Sequence, residues 1–290
     1  MKTCPWCGCS DTTTYIQLKD YFLSQEDFEI FECPNCHLLF TDPRPAGQDA
    51  VKYYQSENYL SHQENKKGLI PRLYEFVKSF NLRNKVKLAS TSLAKGNVLD
   101  IGCGVGDFLV SMKNAGWSVM GIEPSAQARE IAYQRLGFQP LTPTDYSQLP
   151  DHSFDLITMW HVLEHVDDLS YQIQQLQRLL KPGGRLLLAL PNFTSFDAKH
   201  YGQYWAAWDV PRHLNHFCPD SILAIFKDSS FQLSDIQKLK WDAFYISYLS
   251  ETYMHHSLAL LRGAIVGLRS NLKAHNSGMY SSLVYRFCKS

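Results

Sequence analysis

The sequence has no excess of charge of either sign: 28 lysines and arginines stand against 28 aspartates and glutamates in 290 residues. Such a chain has no global field to draw it to a nucleic-acid backbone or a charged surface. It also lacks any window approaching 18 uninterrupted apolar residues, which excludes a membrane-spanning helix. No apolar run follows Lys2, so no secretory leader is expected and the protein reads as cytoplasmic. In a reducing compartment eight cysteines do not suit a disulfide framework, and paired CxxC units read better as metal ligands. Core material is plentiful, with 45% hydrophobic and 13% aromatic residues, enough for one large domain and an appendage.

The appendage is expected over residues 1–45. Cys4 and Cys7 form one knuckle, Cys33 and Cys36 a second, with strand patterns at 12–18 and 29–32 between them. Four thiolates with a turn residue beside each pair suit a closed, tetrahedral structural Zn2+ site; two unrelated cysteine pairs or a redox CxxC are the competing readings. A ribbon this small buries little apolar surface, so the metal would supply its folding energy. Residues 1–60 carry four basic against nine acidic side chains, a net of −5, which disfavours a phosphate-backbone reader.

Residues 46–95 read as a linker and a bridging helix. Tyr53, Tyr54 and Tyr59 suit packing of the ribbon on the main domain, and Leu69, Leu73, Phe76, Val77, Phe80 and Leu88 recur at helical spacing. Eight basic residues against two acids in 61–95 fit the solvated face of an amphipathic helix, or a patch for an anionic substrate.

Residues 97–107, NVLDIGCGVGD, organise the rest of the chain. Val98, Leu99 and Ile101 around Asp100 make a short buried strand, and Gly102, Gly104 and Gly106 form a turn before a helical pattern. Strand, glycine turn and helix cradle a nucleotide, because the backbone can approach a ligand closely and the helix start offers unpaired N–H groups. A second strand, 117–123, ends in Glu123, about twenty residues on, where a carboxylate can take both hydroxyls of a ribose. Further strands are expected at 138–141, 154–160, 185–190, 231–241 and 281–287, with helices at 125–136, 169–180 and 219–226. Alternating strands and helices give a parallel sheet covered on both faces.

DIGCGVG, GIEPS, PDHSFDLITMWHVLEHVDD and LLKPGGRLLLALPN follow one another in a way that resembles the class I S-adenosylmethionine-dependent methyltransferases, over roughly residues 96–241. The resemblance implies an α/β fold: a seven-stranded Rossmann-like sheet, its last strand antiparallel, filling residues 96–290 behind the ribbon. It implies that Gly102, Cys103 and Gly104 pack against the methionine part of the cofactor, with Asp100 near its ammonium. Glu123 and Pro124 would stand at the ribose, Asp145 and Tyr146 at the adenine, and Trp160 beside the cofactor. The front module resembles the zinc ribbon ahead of some sugar methyltransferases, including C-methyltransferases of deoxysugar pathways.

His161, Glu164 and His165 spell HxxEH, an inverted zinc-protease motif. Its place after a buried parallel strand favours lining of the cofactor and substrate pocket, with a divalent-metal substrate site as the alternative. The long loop 191–218 is rich in chemistry, and Tyr201, Trp205, Trp208, Arg212 and His216 are expected at the substrate. Aromatic faces also attract a sulfonium. His213 is the first candidate for general base, His161 and His165 the second. Residues 245–278 form an amphipathic insert that reads as a lid, a dimer surface or a membrane-proximal helix. The expected reaction is methyl transfer to a small polar acceptor, a nucleotide- or glycan-linked sugar. O-methylation of a quinone or lipid-like phenol, RNA methylation and non-catalytic cofactor binding are the competing readings, and the oligomeric state stays open.

Overall fold

The computed structural model describes residues 2–45, 48–53 and 81–290; Tyr54, Tyr59, Leu69, Leu73, Phe76, Val77 and Phe80 lie outside them. In chain order the strands are β1 (Thr13–Lys19), β2 (Asp27–Glu32), β3 (Leu39–Asp42), β4 (Asn97–Ile101), β5 (Ser118–Ile122), β6 (Phe154–Trp160), β7 (Leu180–Pro191), β8 (Asn215–His216), β9 (Phe231–Lys238) and β10 (Ser282–Lys289). They form two sheets, β1-β2-β3-β8 and β5-β4-β6-β7-β10-β9. In the larger sheet β4 runs parallel to β5 and β6, β6 parallel to β7, and β10 antiparallel to both β7 and β9.

Leu186 to Leu190 of β7 are all buried, as expected of a central strand covered on both faces. The expected strand at 138–141 is reduced to a single parallel bridge between Leu141 and Ile122, so the sheet has six strands and not seven. Pro140 has no N–H for a ladder, and the chain turns at once into a 3-10 helix at Pro143–Gln148. The helices begin where side chains can accept the orphan amides. Ser125 caps Ala126–Leu136 by accepting from Ala128 N, and Asp168 caps Leu169–Leu179 by accepting from Tyr171 N. Leu169, Ile173, Leu176 and Leu179 then recur on the inward face. Residues 81–90 are helical, and Leu82, Val86, Leu88 and Ala89 pack on the sheet with Trp117 and Trp160.

Between β9 and β10 the insert is a hairpin of two helices, Asp242–Tyr253 and Ala259–Ser277. Its inward positions are small: Gly263, Gly267, Ser270 and Ala274 are buried. A Cβ at Gly263 would lie 2.7 Å from Tyr248 Cα, and one at Gly267 2.9 Å from Phe244 Cα, so the two backbones meet where a larger residue would hold them apart.

The small sheet is joined to the substrate loop. β3 pairs with β8 through Leu39 with His216 and Phe40 with Asn215. Thr41 Oγ1 donates to His213 O at 2.7 Å and lies 2.9 Å from His216 Nε2. Arg212, buried, sends Nη2 to Asp20 Oδ1 at 2.8 Å and to Asp209 Oδ1 at 2.7 Å. Asp20 also accepts from the N–H groups of Phe22, Leu23 and Ser24, so one carboxylate closes a ribbon turn and holds the loop.

Candidate active site

The glycine turn is held open for a ligand. Gly102 has φ +73°, and a Cβ there would strike Val162 Cγ2 at 2.4 Å; Gly104 has φ +54° and open space where its Cβ would point. Glu123, buried, accepts from Gly104 N and Ser125 N, both at 2.9 Å. Asp100 lies buried at the end of β4, where burial pushes its carboxyl up to about 7 against the opposing hydrogen bond from Thr158 Oγ1 and the charge of Lys85. Trp160 stands edge-on to Phe108 at 5.4 Å with the Lys85 ammonium 4.6 Å from its ring centroid. Its buried indole N–H has no hydrogen-bond partner among the described residues. A bare glycine edge, a buried carboxyl, a ribose-height acid and an aromatic face suit the methionine and nucleoside parts of S-adenosylmethionine. Asp145 and Tyr146 are engaged elsewhere: Asp145 accepts from Thr142 N and Oγ1 at 2.7 Å, and Tyr146 is buried with its OH on Gln172 Oε1.

Beyond the end of β6 the three candidate histidines converge on Glu164. His161 adopts φ +59°, and Leu163–His165 is a single 3-10 turn rather than the mid-helix of a protease. His161 Nε2 is 3.0 Å from Asp242 Oδ2 and its Nδ1 3.5 Å from Glu164 Oε1. Burial opposes its charge, yet these two carboxylates hold its pKa up at about 9. His165 Nδ1 lies 2.9 Å from Arg212 O, and burial together with His213 pushes its pKa down to about 4. His213 Nδ1 lies 2.9 Å from Ala207 O. A carbonyl only accepts, so Nδ1 of His213 carries a proton, and in the neutral ring Nε2 is the atom left to accept one. The His165 and His213 rings meet edge to face at 4.6 Å.

Glu164 is 1% exposed, and neither carboxylate oxygen has a hydrogen-bond partner among the described residues. Burial opposes its ionisation, while His161 and the other histidines hold its pKa below the usual range. One ligand atom from each of Glu164, His165 and His213 falls within 4.8 Å of the others, close enough to ligate one cation. A narrow cavity with free room for about one water molecule adjoins them, lined by Pro191, Phe193, Trp205, Ala207 and Phe217 with Glu164, His213, Asn215 and His216.

Of the residues expected at the substrate, Trp205 and His216 line this cavity. Tyr201 is buried behind it with its OH on Glu251 Oε1 at 3.1 Å, and Trp208 donates its N–H to Gly202 O at 2.8 Å. Arg212 points into the ribbon seam. Lys85, Asp242 and Asn215 escape a reading of motifs, because they come from elements whose docking no local pattern encodes. At the ribbon, Cys4 Sγ lies 3.6 Å from Cys36 Sγ and Cys7 Sγ 3.4 Å from Cys33 Sγ, all four as free thiols. The Cys36 hydrogen bond lowers Cys4 to about 5, against its burial. A tetrahedron of ~2.3 Å Zn–S bonds has edges of about 3.8 Å, so the four sulfurs fit one zinc ion.

Sheet order, glycine cradle and acid-tipped β5 define an S-adenosylmethionine-dependent methyltransferase. The chain belongs to the family described as "Methyltransferase domain", whose profile matches residues 73–235. It is similar to a ubiquinone biosynthesis O-methyltransferase of Xanthomonas oryzae pv. oryzae, 31% identical over 183 residues, 57% of this chain and 76% of the relative. It is also similar to a demethylmenaquinone methyltransferase of Thermotoga maritima, 29% identical over 194 residues, 58% of this chain and 84% of that one. In fold it matches a phosphoethanolamine N-methyltransferase of Haemonchus contortus solved with S-adenosylmethionine, at TM-score 0.56 and 16% identity over 96% of this chain and 68% of that one.

Proposed function

We propose that the protein O-methylates a phenolic ring of the quinone type, with His213 as general base. The observation that carries this is the recess beside Glu164 and His213: Pro191, Phe193, Trp205, Ala207 and Phe217 supply its apolar side, and among the described residues no lysine or arginine lines it. A nucleotide-linked sugar brings a diphosphate, which needs cations; Arg212, the nearest on the loop, is committed to Asp20 and Asp209. The names of the two relatives, both for quinone methylation, favour the same class over the sugar.

In this reading His213 Nε2 would take the proton of the acceptor hydroxyl as that oxygen is methylated; S-adenosylmethionine, when bound, would supply the methyl group and depart as S-adenosylhomocysteine. Free phenols ionise near pH 10, so a positioned base is needed at neutral pH. Glu164 then balances the imidazolium. His161 is held as a cation by two carboxylates and serves to fix Glu164. Asp100, Gly104 and Glu123 hold the cofactor's ammonium, methionine chain and ribose. The four cysteines hold one structural zinc. Transfer of isotope-labelled methyl to a panel of catechol-type quinols and nucleotide sugars tests the acceptor class: label on the phenol oxygen is expected, and label confined to the sugars contradicts it.

A further inference from the structure

Among the described residues, the helix Ala259–Ser277 is covered on one side only. Opposite its buried glycines stand Leu258, Leu261, Ile265, Leu268 and Leu272, spaced by three, four, three and four residues and exposed by 72, 58, 51, 53 and 63%. A continuous row of large aliphatic side chains marks a contact surface, whereas single exposed leucines do not. About a quarter turn away, at 100° per residue, runs a row of cations, Arg262, Arg269 and Lys273. The helix contains no aspartate or glutamate, and none occurs anywhere from Thr252 to Ser290. Of the three cations, Arg262 has an acidic partner, Glu251 Oε2 at 3.0 Å from its Nε.

We propose that this face docks on the surface of an anionic phospholipid bilayer, the helix lying in the plane of the interface. The aliphatic row would enter the acyl boundary while Arg269 meets the headgroups, Lys273 lying with its ammonium 4.4 Å from the Phe196 ring centroid. No helix of the described residues is long and apolar enough to cross a membrane, so the contact is peripheral. A second copy of the chain suits the face less well, since each helix would bring Arg269 and Lys273 to the seam with no carboxylate of its own, whereas an anionic lipid surface supplies the missing charge. The partner helix of the hairpin carries Asp242, paired with His161, and Ser250, whose Oγ accepts from Ala206 N of the substrate loop. The docking face is therefore one helix away from the recess.

Sedimentation of the full chain with vesicles tests this. Binding is expected to phosphatidylglycerol–phosphatidylcholine vesicles, weaker binding to phosphatidylcholine alone, and a decline as salt is raised. The double variant Leu261→Gln, Leu268→Gln should bind at least about tenfold more weakly with unchanged circular dichroism. Arg269→Glu should lose only the preference for anionic vesicles, and it carries the test if the double variant does not fold. No binding to anionic vesicles, equal binding by the variants, or a wild-type dimer that the double variant splits would each overturn the proposal. The readout involves no methyl transfer, so it stands or falls separately from the acceptor class.

Discussion

Asp100 is the residue whose titration the site makes visible. An unfolded aspartate ionises near 3.9. A folded pKa of about 7 means that the native chain holds an extra proton between those values, so this group's contribution to stability falls as pH rises through that window. A cofactor ammonium beside it favours the carboxylate and expels the proton. Affinity for S-adenosylmethionine should therefore rise as pH increases through about 7 and then level off, with one proton released to buffer on binding. In Asp100→Asn the affinity should be weaker and flat over the same range; calorimetry in buffers of different ionisation heat measures both. Glu164 makes the complementary case. Its carboxylate has no hydrogen bond among the described residues but pairs with His161 at 3.5 Å, so Glu164→Gln should lower both methyl transfer and melting temperature.

Among the elements, the helical hairpin and the loop-to-ribbon seam carry the tightest constraints. Gly267→Leu places a side chain where even a Cβ would lie 2.9 Å from the Phe244 backbone, and should destabilise the fold by about 1–3 kcal/mol in urea titrations. Asp20→Ala leaves Arg212 buried without one of its two carboxylates and should cost about 3–5 kcal/mol. Turnover should fall with it, since the same loop presents His213. Most elements of the main sheet were legible from periodicity and capping, because Leu186–Leu190 is a continuous apolar run and Val98–Ile101 and Phe154–Trp160 are apolar runs broken only by Asp100, Asp155 and Thr158. The pairing of Leu39 and Phe40 with Asn215 and His216 joins residues some 175 positions apart, and no local signal announces it. Likewise the HxxEH spelling pointed to His161 and His165, but their division of roles depends on Asp242 and Arg212 O, supplied by distant elements. The outward leucines of Ala259–Ser277 show the limit of amphipathic reading, which finds an apolar stripe without saying that the glycine side is the buried one.

For the whole molecule, the ribbon is tied to the substrate loop, because β3 and β8 share a sheet and Thr41 meets His213 and His216. One zinc per chain is expected by metal analysis, and Cys33→Ser should remove it and lower both the melting temperature and turnover. Loss of zinc with turnover intact would separate the two parts again. In the proposed function Glu164 and His213 drive methyl transfer while the cofactor is held independently at β4 and β5. The most direct measurement is therefore the turnover of His213→Asn on a quinol acceptor beside its dissociation constant for S-adenosylmethionine. The account predicts a fall in kcat of about 100-fold or more with cofactor affinity unchanged. Unchanged turnover, or equal loss of turnover and cofactor affinity, would contradict it.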